Sequence, residues 1–104
     1  MAGTKRNVTK KTIKPKKDIV ASIAESMKKD LLKLIKQGIK ELTIDFAVIE
    51  TIDSVGLGVL IATHNSLESA GGKLKIKNVS NNIYKIFKTM RLDQHFEVVI
   101  PDSE

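Results

Sequence analysis

Short stretches of alternating polarity and longer stretches of helical periodicity take turns along this chain. Val20, Ile23, Ala24, Met27, Leu31, Leu34 and Ile35 recur at helical spacing, while Glu25, Lys28, Lys29, Lys33 and Lys36 fall mostly on the other side. That pattern predicts an amphipathic helix over residues 19–37, with Asp18 as its N-cap and Gly38 as its C′ stop. Leu42, Ile44 and Phe46 alternate with Thr43 and Asp45, which predicts a strand; Ala47-Val48-Ile49 either extends it or turns back into the core. A second helix is expected over residues 55–70, capped by Ser54 and stopped by Gly71-Gly72, with Leu57, Leu60, Ile61 and Leu67 on its inner face. Its first two turns are apolar nearly all round, so it should pack on a sheet and also lie close to a neighbour. Residues 74–79 alternate strictly as a third strand. Ser80 is placed to cap a third helix that buries Ile83, Ile86, Phe87 and Met90. Residues 96–100 form a last strand before Pro101. Residues 8–13 make a weaker first strand, with Val8 and Ile13 its only apolar members. The order β-α-β-α-β-α-β predicts a single α/β domain, with helices packed on a mostly parallel sheet of about four strands.

Charge divides the chain unevenly. Seven of the 18 basic residues (Lys5, Arg6, Lys10, Lys11, Lys14, Lys16 and Lys17) fall in the first 17 positions, where there is no acid. The other 11 meet all 12 acids, so the net charge of +6 belongs to a basic leader, residues 1–17, ahead of a nearly neutral domain, residues 18–104. Such a leader can touch phosphate or anionic lipid, or can be a solvated end. One tyrosine, three phenylalanines and no tryptophan offer little for base stacking, which argues against nucleic acid as the partner. The absence of cysteine excludes disulfides, thiolate metal sites and a cysteine nucleophile. No apolar run is long enough to cross a bilayer, and none follows the basic N-terminus as a signal peptide would require. The expectation is a cytoplasmic, soluble protein.

The candidate chemistry lies in Asp53-Ser54-Val55-Gly56-Leu57-Gly58, at the junction of strand pattern and helix. A serine there caps a helix, and it also sits where an added phosphate changes the charge of one exposed point on a rigid fold. Gly56 and Gly58 each weaken a helix by about 1 kcal/mol relative to alanine. Their missing side chains admit either a partner or this chain's own neighbouring backbone. Asp45 ends a strand near the sheet's carboxyl edge, where α/β proteins bind ligands. Other chemistry is excluded. Gly56 and Gly58 lack the third glycine of a dinucleotide loop, since position 61 is isoleucine. The Gly-x-Ser-x-Gly elbow of a hydrolase is missing. His64, on the helix's inner line, and His95, in a turn, are two isolated histidines and do not by themselves make a metal site. No enzyme, metal or cofactor is expected.

Ile44-Asp45-Phe46, Ile52 through Leu60, Ala70-Gly71-Gly72-Lys73-Leu74, Val79-Ser80, Phe87 and Leu92 together resemble the STAS family, over roughly residues 18–100. This is the family of bacterial anti-sigma factor antagonists, and it also occurs as a domain of sulfate transporters. The resemblance implies a sheet of four or five elements with helices on it. It implies that the helix opened at Ser54, with the loop before it, is an interaction surface comprising Asp45, Asp53, Ser54, Val55, Gly56, Leu57 and Gly58. It also implies that Ser54 is phosphorylated by a partner serine kinase that doubles as an anti-sigma factor, with a phosphatase reversing the mark. The chain departs from the family in two places. Val55 stands where a second serine is common, and only about 17 residues precede Asp18, where the family usually has a β-hairpin. The alternative is a constitutive scaffold in a sensory complex, or an accessory subunit of a membrane transporter.

Overall fold

The computed structural model describes residues 9–100. In chain order the elements are strand β1 (Lys10–Ile13), helix α1 (Ala21–Lys36), strand β2 (Glu41–Asp45), helix α2 (Ser54–Ser69), strand β3 (Lys73–Lys77), helix α3 (Asn81–Thr89), a short 3-10 turn (Leu92–Gln94) and strand β4 (Glu97–Val99). The strands lie in the order β1-β2-β3-β4, and every neighbouring pair is parallel. The expected α/β alternation and parallel sheet are therefore present. Val8, expected in the first strand, lies outside the described residues.

Three crossovers step in one direction across the sheet. Parallel crossovers are right-handed, so all three helices belong on one face. Burial along the strands agrees. Leu42, Ile44, Leu74 and Ile76 are sealed in the core, while the alternate positions of β2 and β3 keep partial or full exposure. The uncovered face is solvated by charge. Lys10, Glu41 and Lys73 stand side by side in register, as do Thr12, Thr43, Lys75 and Glu97. Lys75 and Glu97 pair at 3.9 Å, an exposed contact that contributes little on its own.

The helix ends follow local chemistry. Gly38 and Gly71 sit in the left-handed region, with φ of 105° and 82°. Each closes a Schellman motif. Gly38 N–H donates to the Ile35 carbonyl and Ile39 N–H to Leu34; Gly71 N–H donates to Glu68 and Gly72 N–H to Leu67. Lys40 Nζ adds a bond to the Ala70 carbonyl at the end of α2. Ser80 caps α3 as expected, its hydroxyl accepting from Ile83 N–H at 3.3 Å.

Two local expectations are corrected. Asp18 does not cap α1: the N-cap is Val20, which supplies no side-chain bond, and the Asp18 carboxylate turns to another chain segment. Met90 is the C-cap of α3 and is 50% exposed, because the helix ends before that position could turn inward. Ala47-Val48-Ile49 turns back rather than extending β2: Ile49 N–H bonds to the Phe46 carbonyl and the Ile49 side chain is buried.

The core runs between the helices and the covered sheet face. Phe87 of α3 is fully buried, with its ring edge-to-face against Phe46 at 6.1 Å and Phe96 at 5.8 Å. Replacing Phe87 by alanine removes both ring contacts and leaves a cavity. Urea unfolding should show the domain destabilised by about 3–5 kcal/mol.

Candidate functional site

The carboxyl edge of the sheet carries the candidate site. After β2 the chain turns at Ala47 and Val48, and the loop that follows is laced to the residues just before α1. Ile19 and Ile52 form an isolated parallel bridge. Asp18 Oδ1 accepts from Glu50 N–H at 2.7 Å and from Thr51 N–H at 3.3 Å, and Asp53 N–H donates to the Ile19 carbonyl at 3.4 Å. These bonds satisfy loop amides that would otherwise lack partners.

The N-cap of α2 is Asp53, not Ser54. One carboxylate oxygen of Asp53 accepts from its own helix at Gly56 N–H, 2.8 Å away; the other accepts from Ala21 N–H, the first amide of α1, at 3.0 Å. Val20 gives α1 no cap, so Asp53 caps both helices. A carboxylate is favoured here because both helices point the positive ends of their dipoles at it. Ser54 is thereby moved one position on, to the first residue of α2, where it is exposed. The sequence alone could not rank two adjacent capping residues. The distinction rests on the second bond, to a residue 32 positions away.

The other predicted positions divide by orientation. Val55 and Gly58 are exposed with Ser54, while Asp53 is half-buried. Gly56 and Leu57 turn inward and are buried. A Cβ on Gly56 would land on the Ile19 carbonyl oxygen and against the Ile19 and Ile52 side chains, whereas one on Gly58 would meet nothing. The absent side chain of Gly56 therefore serves close packing of α2 on this chain's own backbone. Asp45 is half-buried at the end of β2, where Oδ1 accepts from Ala47 N–H and Asn78 Nδ2, each at 2.9 Å. Asn78 holds this bond from a left-handed backbone, φ 59°. Sequence reasoning missed Val48, which is 46% exposed, as Val55 is at 49%; Met90, Val99 and Ile100 are the other large hydrophobics exposed among the described residues. Two half-exposed valines at a loop and a helix start are apolar area available to a partner.

Both acids are held ionised. The Gly56 and Ala21 amides, in that order, keep the Asp53 carboxyl below its ordinary value of 3.8 against a small opposing effect of burial. Asp45 is lowered first by Asn78, then by Ala47 N–H and the nearby charges of Lys14 and Lys77, again against burial.

His64 is nearly buried on α2, its Nε2 3.6 Å from Glu68 Oε1 and its ring 5.8 Å from His95 and 5.9 Å from Phe96. The contact with His95 was invisible in the sequence, because 31 positions separate the two. Among the described residues no group of three His, Asp or Glu side chains is arranged to hold a metal, and no helix is long and apolar enough to cross a membrane.

Comparison with known proteins agrees with this geometry. A family profile described as STAS domain matches residues 3–103. The chain belongs to the STAS domain family, whose members are non-catalytic regulatory and scaffold modules. The anti-sigma-B factor antagonist of Bacillus subtilis (strain 168) is 33% identical over 64 residues, a match covering 62% of this chain and 58% of that protein. The chain thus matches less than two thirds of that relative's length. A Thermotoga maritima protein described as a candidate anti-sigma factor antagonist superposes with a TM-score of 0.79 at 22% identity, covering 84% of this chain and 75% of that one. A sulfate transporter family protein from Wolinella succinogenes gives 0.77 at 19% identity, covering 94% and 84%. At these identities the two structural likenesses concern the fold.

Two measurements check the site. Gly56→Ala forces α2 off Ile19 and should destabilise the domain by roughly 1–3 kcal/mol. Gly58→Ala should be neutral or stabilise by up to about 1 kcal/mol, both read by thermal unfolding. The second measurement concerns Asp53. A carboxyl whose folded pKa is depressed stabilises the fold fully above its unfolded value and loses that contribution as pH falls through the folded value. The stability gap between wild type and Asp53→Asn should therefore hold steady from about pH 5 to pH 8 and close as pH drops below 3.8. A gap unchanged in strong acid would mean the carboxylate charge contributes nothing.

Proposed function

We propose that this STAS module is a cytoplasmic anti-sigma factor antagonist, switched by phosphorylation of Ser54. The observation that carries the reading is the exposed position of Ser54 on the first turn of α2, beside an acid that already performs the capping. Because the fold does not use Ser54 as its cap, the serine is free to be modified. The partner is a serine kinase that doubles as an anti-sigma factor, with a phosphatase restoring the binding form. It meets the surface formed by Ser54, Val55 and Gly58, with Val48 beside them and Asp45 and Asp53 at its rim. Gly56 and Leu57 support that surface from beneath.

The charge arithmetic suits a switch. A phosphoserine carries about −1.5 to −2 charge at neutral pH. At a helix N-terminus that charge is favoured locally by ~0.3–1 kcal/mol, while the Asp53 carboxylate opposes it. The two effects nearly offset, so the fold tolerates the phosphate. In an interface without a matching cation, the same group costs on the order of 3 kcal/mol, roughly a hundredfold in affinity.

A second reading, a non-enzymatic scaffold or accessory subunit of a sensory complex or transporter, draws support from the fold shared with the Wolinella succinogenes sulfate transporter family protein. One experiment separates them. Incubation with the cognate serine kinase and ATP should add a single phosphate at Ser54, located by mass spectrometry, and Ser54→Asp should bind that kinase roughly a hundredfold more weakly. An unmodified Ser54 together with full binding by Ser54→Asp would reject the switch. Co-purification with a permease or a large multimer would favour the scaffold.

A further inference from the structure

A groove of about 410 Å³ lies between α1 and the connection from β1 to α1, and shares no residue with the Ser54 surface. It lies where half-buried Ile13 of the edge strand, and the connection that follows it, meet α1, which packs on α2. Along α1 the groove is lined by Ile23, Met27, Leu31 and Leu34, which share one helix stripe; Met27 and Leu31 are sealed in the core, and half-buried Ile13, Ile23 and Leu34 supply the apolar surface. The two rims differ in charge. One carries Lys14, Lys16 and Lys17, all exposed; the other carries Ser26 and Asp30.

We propose that this groove docks an acidic amphipathic helix of a partner protein. A helix laid in a groove inserts apolar side chains at i, i+3 or i+4 and i+7, which matches an apolar floor running along α1. Its carboxylates meet the three lysines on one side, and its neutral or basic flank meets Ser26 and Asp30. The unequal rims thus fix which way the helix faces. A second copy of this chain is disfavoured, because its own amphipathic helix, α1, has no acidic flank: it exposes Lys28, Lys29, Lys33 and Lys36 against Glu25 and Asp30.

The test is fluorescence anisotropy on the full chain. The probe is a labelled, designed helix of about four turns, with leucines on one face and glutamates along one flank. It should bind in roughly the ten- to hundred-micromolar range, and the same peptide with lysines for glutamates should bind at least about tenfold more weakly. Ser26→Trp, which fills the groove from an exposed position, should weaken the acidic peptide about tenfold with the circular dichroism spectrum unchanged. The triple change Lys14→Glu, Lys16→Glu, Lys17→Glu should reverse the preference between the two peptides. Equal binding of both peptides, unaltered binding to folded Ser26→Trp, or capture of phosphatidylglycerol vesicles in place of the acidic peptide would each overturn the proposal.

Discussion

Two helices begin at the same edge of this domain, and one carboxylate holds both beginnings. Asp53 accepts from Gly56 N–H in α2 and from Ala21 N–H in α1, and α1 has no side-chain cap of its own. Every other feature of the candidate surface is arranged around that bridge. The Asp18 carboxylate ties down the loop from its other end, the Ile19 carbonyl receives Asp53 N–H, and Gly56 lacks a side chain because α2 must rest on Ile19. A carboxylate between two helix N-termini is favoured electrostatically from both directions. The first turn of α2 is therefore a fixed platform rather than a fraying end.

That rigidity separates holding the fold from presenting the serine. If Ser54 were the cap, modifying it would disturb the helix it begins. With Asp53 in that role, Ser54 stands one residue further on and is exposed, as are Val55 and Gly58. In the switch we propose, a change of charge at that point alters what a partner meets far more than it alters the domain. The one-sided layer of helices leaves the opposite sheet face to interleaved lysines and acids, while Val48 and Val55 stay half-exposed in the loop after β2 and on the first turn of α2.

Much of the fold could be read from the chain, because its elements follow strong local rules. The alternation in β2 and β3, the helical stripe of α1, the Ser80 cap and the glycine stops at 38 and 71 depend on neighbours within a few positions, and each is found where it was expected. What stayed hidden depends on distant contacts. Asp18 looked like a cap, but its carboxylate bonds to amides 32 and 33 positions away. Ser54 and Asp53 are equally good caps on propensity, and only the approach of Ala21 decides between them. Gly56 and Gly58 look alike in sequence; the nearness of Ile19 makes one a packing requirement and leaves the other on the surface. The groove beside α1 was equally invisible, because it lies where the edge strand and the connection that follows it meet α1.

The most direct test of the bridge is an acid titration followed by NMR. If one carboxylate accepts from both helices, the amide proton shifts of Ala21 and Gly56 should move together, with a single shared midpoint below 3.8, the ordinary value for an aspartate. Separate midpoints, or an Ala21 amide that does not respond while Gly56 titrates, would show that Asp53 caps α2 alone and that the two helices are not joined through it.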